Sequence, residues 1–87
     1  MSIFYVYILE VSGKRGKKSY YTGYTNNLHR RLSEHRNGTG AKYCRSKKIE
    51  LKYYETFIDR KSAMSRELEI KSYPKQKKRE LIKGLVD

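Results

Sequence analysis

The stretch SYYTGYTNNLHRRLSEH, Ser19 to His35, changes character halfway along. SYYTGY at 19–24 is β-prone, whereas Thr25, Asn26 or Asn27 can cap a helix in which Leu28 and Leu32 stack at i,i+4. Gly38 then falls where a helix ends in a left-handed residue. A strand that runs straight into a capped helix needs a sheet to belong to, and IFYVYILEV at 3–11 supplies it. Phe4, Val6 and Ile8 alternate with Tyr5, Tyr7 and Leu9, so both faces are apolar or aromatic, as in an inner strand covered on each side. SGKRGKK at 12–18 provides glycine-punctuated turn chemistry, and 19–24 therefore reads as the returning arm of a hairpin.

Downstream, GTGAKYCRSKK at 38–48 is a flexible basic connection and IELKYYETF at 49–57 alternates well enough for a third strand. Asp59 caps a second helix over roughly 60–72. Pro74 stops it and can start a short third helix, about 75–84, that carries Leu81 and Ile82 toward the core. The reading is α/β in the order ββαβαα, with a small central three-stranded antiparallel sheet flanked by helices. No repeat, low-complexity tract or linker divides residues 1–87, so one domain is expected.

Twenty-one Lys and Arg against nine Asp and Glu leave a formal charge of +12. Such an excess calls for a polyanionic partner. The cationic residues cluster, and Lys17, Lys18, Lys42, Arg45, Lys47 and Lys48 are candidate nucleic-acid contacts together with Tyr43, while tyrosines between the later clusters can stack on bases. Cys44 is the only cysteine, which excludes an internal disulfide and a zinc site built on cysteine pairs. No apolar run is long enough to span a bilayer, no secretory leader is present, and no helix pairs a basic face with a broad apolar one; a soluble, cytoplasmic protein without a membrane partner is expected.

Helical geometry then separates the polar residues. At about 100° per residue, Arg31 and His35 lie on or beside the stripe of Leu28 and Leu32, while Arg30 points away as an ordinary solvated arginine. In the second helix, an arc set by Ala63, Met64, Leu68 and Ile70 contains Glu67 and leaves Glu69 facing solvent. A carboxylate in that place needs a partner: a salt bridge to Arg31 or to Lys71, or a metal ion.

These residues, in this order, resemble the GIY-YIG nuclease domain. YVY at 5–7 and YTG at 21–23 stand as its two triplets, Arg31 follows Gly23 by the family's spacing, and AMSRE at 63–67 matches its Ala-x-x-x-Glu segment. Tyr5 and Val6 replace the first two letters of the family name, and the asparagine some members use late in the chain has no counterpart beyond Asn37. The resemblance covers nearly the whole chain, with 3–73 as its core, and is nearest to the small stand-alone bacterial members. It implies phosphodiester hydrolysis with one divalent ion, Mg²⁺ or Mn²⁺, held by Glu67. It also implies that Tyr21 activates or orients the attacking water, that Arg31 clamps phosphate, that Tyr7 joins the water network and that His35 assists proton transfer or contacts phosphate. Gly23 is structural in this scheme, allowing close backbone approach or a sharp turn.

DNA is the expected substrate, with structured RNA and branched forms as further choices. Members of this family often borrow specificity from attached domains, and none fits in this length, so a protein partner can supply it. A non-catalytic basic nucleic-acid-binding module, or a small RNA-associated structural protein, are the readings of a different class.

Overall fold

The fold is described from a computed structural model covering residues 2–40 and 48–85. Its elements are β1 (Phe4–Ser12), β2 (Lys18–Thr25), α1 (Leu28–Arg36), β3 (Lys48–Phe57), α2 (Arg60–Lys71) and α3 (Lys75–Ile82), in the expected order. The sheet runs β2-β1-β3, antiparallel throughout, so the strand with two apolar faces is indeed the central one. A tight turn at Lys14–Gly16 joins β1 to β2, with Arg15 and Gly16 both at positive φ, 65° and 70°.

Each face of β1 has its own core. Val6 and Ile8 pack with Ala63, Ile70 and Leu81 beneath α2 and α3, joined by Phe4, Tyr20, Tyr24, Tyr53 and Phe57. On the opposite face Tyr7, Leu9 and Val11 pack with Ile49 and, from α1, Leu28 and Leu32. Alternation along one strand therefore decides which helix meets which residues. Among the described residues Thr22, facing α2, is the one buried side chain whose hydroxyl has no hydrogen-bond partner.

The caps follow the sequence closely. Of the three candidates before α1, Asn27 serves, its side chain accepting from the Arg30 amide at 3.0 Å. Asp59 does the same for Ser62 at 2.7 Å, and Gly38 and Gly84 adopt φ of 78° and 77° just past their helices.

The apolar arc of α2 requires a correction. Met64 and Leu68 are exposed, and the face turned to the sheet is Ala63, Arg66, Glu67 and Ile70. The helix sits on bulky tyrosines and Phe57, so close contact is made through Ala63. Rotation about Ala63 and Ile70 brings Arg66 over β3, where its guanidinium forms two hydrogen bonds with Glu55 at 2.9 and 2.7 Å and another with Glu69 at 2.8 Å. Tyr53 donates to the same Glu55 carboxylate, and Arg66 reaches the Tyr73 hydroxyl at 3.2 Å. Burial, with that acceptor, pushes the Tyr53 phenol up to about 12. No helix among the described residues is long and apolar enough to cross a membrane.

Candidate active site and nucleic-acid interface

Tyr7 and Gly23 sit directly opposite each other on β1 and β2, with Tyr21 two residues along the same face. That pairing is close because Gly23 has no side chain. A Cβ there would lie 2.5 Å from the Tyr7 hydroxyl and 3.3 Å from the Tyr21 ring. The φ of Gly23 is not in the left-handed range, so of its two expected uses close approach is the one realised.

α1 brings His35 onto this pair. Its imidazole is 1% exposed, its Nε2 lies 3.0 Å from the Tyr7 hydroxyl, and both tyrosine rings meet it edge-on, Tyr7 at 5.9 Å and Tyr21 at 5.4 Å between centroids. Arg31, one turn earlier, lies close enough for its charge to interact with the Tyr7 phenol. Burial, reinforced by the positive charge of Arg31, lowers the His35 pKa and keeps the ring neutral.

The chain after α1 closes over this histidine. The amides of Thr39 and Gly40 both donate to the Glu34 carbonyl at 2.9 Å, and a Cβ on Gly40 would sit 2.6 Å from His35 Nδ1. Sequence reasoning missed Gly40, whose only signal was a second glycine two residues after Gly38, four past the helix end.

Arg31 is held by Glu34 at 2.9 Å, a partner one turn along that the sequence reading had not assigned. That hydrogen bond raises the Arg31 pKa further above its ordinary value and lowers that of Glu34. Arg30 is exposed, as expected, but it is not idle: it approaches Glu34 at 3.7 Å and Asn26 at 3.5 Å. Both arginines, with Arg60 at the start of α2, line a cleft of about 430 Å³. Its walls come from both sides of the sheet, Phe4 and Tyr24 from the α2 side and Glu34 from α1. Arg60 lies over the Phe4 ring at 5.6 Å, and no carboxylate pairs with it among the described residues. Three guanidinium groups thus face one carboxylate, which leaves the cleft with an excess of positive charge. Arg60 was missed because nothing in the sequence marks a helix-start arginine as pointing back to the hairpin.

A second open cleft, about 490 Å³, adjoins the first at Asn26. It is walled by Tyr5 and Tyr54 from the sheet and by Asn26, Asn27 and His29 from the start of α1.

Glu67 lies on the helix that covers the opposite face from Tyr7, Tyr21 and His35. Its side chain is 14% exposed and its nearest cation is Lys71 at 3.6 Å, so of the two salt-bridge partners the sequence offered, Lys71 is the observed one. Arg66 leans toward β3, and by helix geometry Glu67, about 100° further round, leans toward β2, the strand carrying Tyr21. Glu69, expected in solvent, is 56% exposed but paired with Arg66.

The other predicted contacts divide. Lys18 and Lys48 both pair with Ser12, at the end of β1 away from Tyr5 and the arginine cleft, and Lys17 is exposed beside Lys18. Seven residues of strand separate Ser12 from Tyr5, about 23 Å. Lys42, Tyr43, Arg45 and Lys47 lie outside the described residues, as does Cys44.

The sheet order, the tyrosine–arginine–histidine cluster and the adjoining arginine cleft define a small antiparallel α/β domain of the nuclease type. The chain belongs to the GIY-YIG family: the GIY-YIG catalytic domain matches it over residues 3–80. It is 49% identical over 78 residues to a UPF0213 protein of Haloquadratum walsbyi, covering 88% of this chain and 83% of that one. It is 44% identical over 79 residues to a UPF0213 protein of Clostridium perfringens, covering 90% and 81%. The solution NMR structure of a UPF0213 protein from Bacillus halodurans superposes with a TM-score of 0.54 at 38% identity, over 93% of this chain and 83% of that chain. Membership places the chain in a nuclease family and implies interaction with nucleic acid in general; nucleases of this family generally use a divalent metal.

The residues fit a metal of the open, mostly hydrated kind. Among the described residues no three of His, Cys, Asp or Glu gather into a ligand cage. One partly buried carboxylate beside a long, half-exposed lysine that can swing aside matches how Mg²⁺ is held, by one or two carboxylates with water and substrate phosphate completing the shell.

Proposed function

We propose that this protein is a metal-dependent endonuclease that hydrolyses phosphodiester bonds in DNA or structured RNA. The observation that carries the reading is the buried Tyr7–His35 hydrogen bond, with Tyr21 packed against the same histidine, beside Arg31 and a cleft of three arginines. Arg31 and its neighbours bind the phosphate and offset the charge that grows on its oxygens during in-line attack. Tyr21 orients the attacking water, its ring fixed against His35. The neutral His35, bonded to the Tyr7 hydroxyl, holds that phenol toward Arg31 and can take a proton through it. A divalent ion bound at Glu67, as Mg²⁺ or Mn²⁺, would supply charge neutralisation and a water of lowered pKa.

The experiment is a cleavage assay with Mg²⁺ or Mn²⁺ over single-stranded, duplex, flapped and four-way DNA and structured RNA, comparing wild type, Arg31→Ala and Glu67→Gln. Wild type is expected to nick at least one of them and each variant to lose at least about 100-fold, the loss typical of removing a transition-state charge stabiliser. Because the Glu67–Lys71 pair is partly exposed, Glu67→Gln should shift stability by less than about 1 kcal/mol, and it should abolish metal-induced NMR shifts around residue 67. The competing reading, a non-catalytic binding module, draws on that same pair, since Glu67 already has a cation. Binding without product on any substrate at high enzyme would establish it.

A further inference from the structure

We propose that the tyrosine-lined cleft beside the arginines is a receptor for one unpaired nucleobase, so that the nucleic acid bound here carries a single-stranded or interrupted segment. This inference rests on the nucleic-acid reading above and adds the substrate class. Tyr54 is 53% exposed, a costly position for a large aromatic, and its ring contact is an edge-on one with Tyr5 at 6.0 Å and 64°. Its exposed ring also lines the cleft. Tyr53 and Tyr73, the other tyrosines between the basic clusters, are engaged by Glu55 and Arg66 and by Lys77, which leaves Tyr54 as the stacking surface.

The remaining walls suit a base and not an apolar side chain. Asn26 and His29 bring polar atoms to the rim while Leu28 and Leu32 supply the apolar part. Bases present a π-face to aromatics and donors and acceptors at their edges, and stacking on an aromatic is tolerant of sequence. The volume, about 490 Å³, lies within the range of small-molecule sites. Position decides the occupant: Asn26 also lines the arginine cleft, so a strand whose phosphate rests on Arg30 and Arg60 has its neighbouring base beside Tyr54. A base inside an intact duplex is stacked and paired and cannot enter without being extruded.

The test uses oligonucleotides carrying 2-aminopurine, whose fluorescence is quenched when it stacks, placed in a single-stranded overhang or within a full duplex, with EDTA present so that nothing is cut. Wild type is expected to quench the overhang probe. Tyr54→Ala should abolish the quenching and reduce the ratio of overhang to duplex affinity about tenfold, within the ~1–3 kcal/mol measured per stacked base, and Tyr54→Phe should restore both. Circular dichroism melts confirm that the variants fold. Quenching by a wild type that cuts nothing when Mg²⁺ or Mn²⁺ is returned would sink the nuclease reading and leave the base site standing. Cutting by wild type with no quenching, or with quenching and an affinity ratio that Tyr54→Ala leaves in place, would overturn the base site alone.

Discussion

At the scale of single residues, two glycines shape the site by what they lack. Gly23→Ala would drive a methyl to 2.5 Å from the Tyr7 hydroxyl and 2.8 Å from the ring carbon bearing it, and the strand pairing leaves Tyr7 little room to retreat. Overpacking of this kind costs about 1–3 kcal/mol, and here it would also part Tyr7 from His35. Thermal melts should register the first effect and NMR of the His35 ring the second; a variant with native stability and an unmoved imidazole would show that the hairpin absorbs the methyl. His35 itself sets a pH dependence. Its surroundings are Arg31, Glu34, Tyr7 and Tyr21, and burial with the Arg31 charge keeps its folded pKa below the ordinary value of about 6.5. Below that value the unfolded chain takes up the proton before the folded one, so stability is greatest above about 6.5 and falls as pH drops toward the depressed folded pKa. Melts across that window should slope for wild type and flatten for His35→Gln.

Among elements, α2 shows where the sequence was legible and where it was not. Strand and helix bounds were readable because alternation, caps and Pro74 act locally: Asn27, Asp59 and Gly38 do in the structure what their types announce. The cluster of Tyr7, Tyr21, Gly23, Arg31 and His35 was expected only through the resemblance to the family; what the structure adds is the strand register that sets Tyr7 opposite Gly23 and the α1 placement of His35 beside both tyrosines. What could not be read was the rotation of α2, because a helix with a low apolar contrast does not announce which flank it buries. Met64 and Leu68 pulled the expectation one way. The Glu55–Arg66 contact, eleven residues apart in sequence and made across two elements, pulled the helix the other. The side chains are 22% and 15% exposed, so Arg66→Ala strands a half-buried carboxylate and a phenol and should cost about 2 kcal/mol in denaturant melts. Although burial opposes ionisation, bonds to Arg66 and Tyr53 hold the Glu55 pKa below its ordinary value. Its contribution is therefore present above the usual carboxylate range and lost only as pH falls through that depressed folded value, a window well below that of His35.

For the whole molecule, cationic groups among the described residues stand at both ends of the sheet, the arginine cleft at one and Lys17, Lys18 and Lys48 at the other, with Lys75, Lys77, Lys78 and Arg79 on α3 besides. A strand of nucleic acid long enough to touch both releases counterions from each, so affinity for long duplex should fall steeply between about 50 and 200 mM salt, while an oligonucleotide that reaches one end should lose less. Arg60→Ala should lower affinity evenly across sequences and reduce the salt slope by about 1; an unchanged slope would place Arg60 off the binding surface. The central position of β1 reaches beyond binding. Its amides and carbonyls are bonded to neighbours on both sides, and Val6 and Tyr7, adjacent in sequence, anchor opposite cores. Hydrogen exchange of the β1 amides should therefore be among the slowest in the domain and track its global stability, so Tyr7 is carried by the last strand to open.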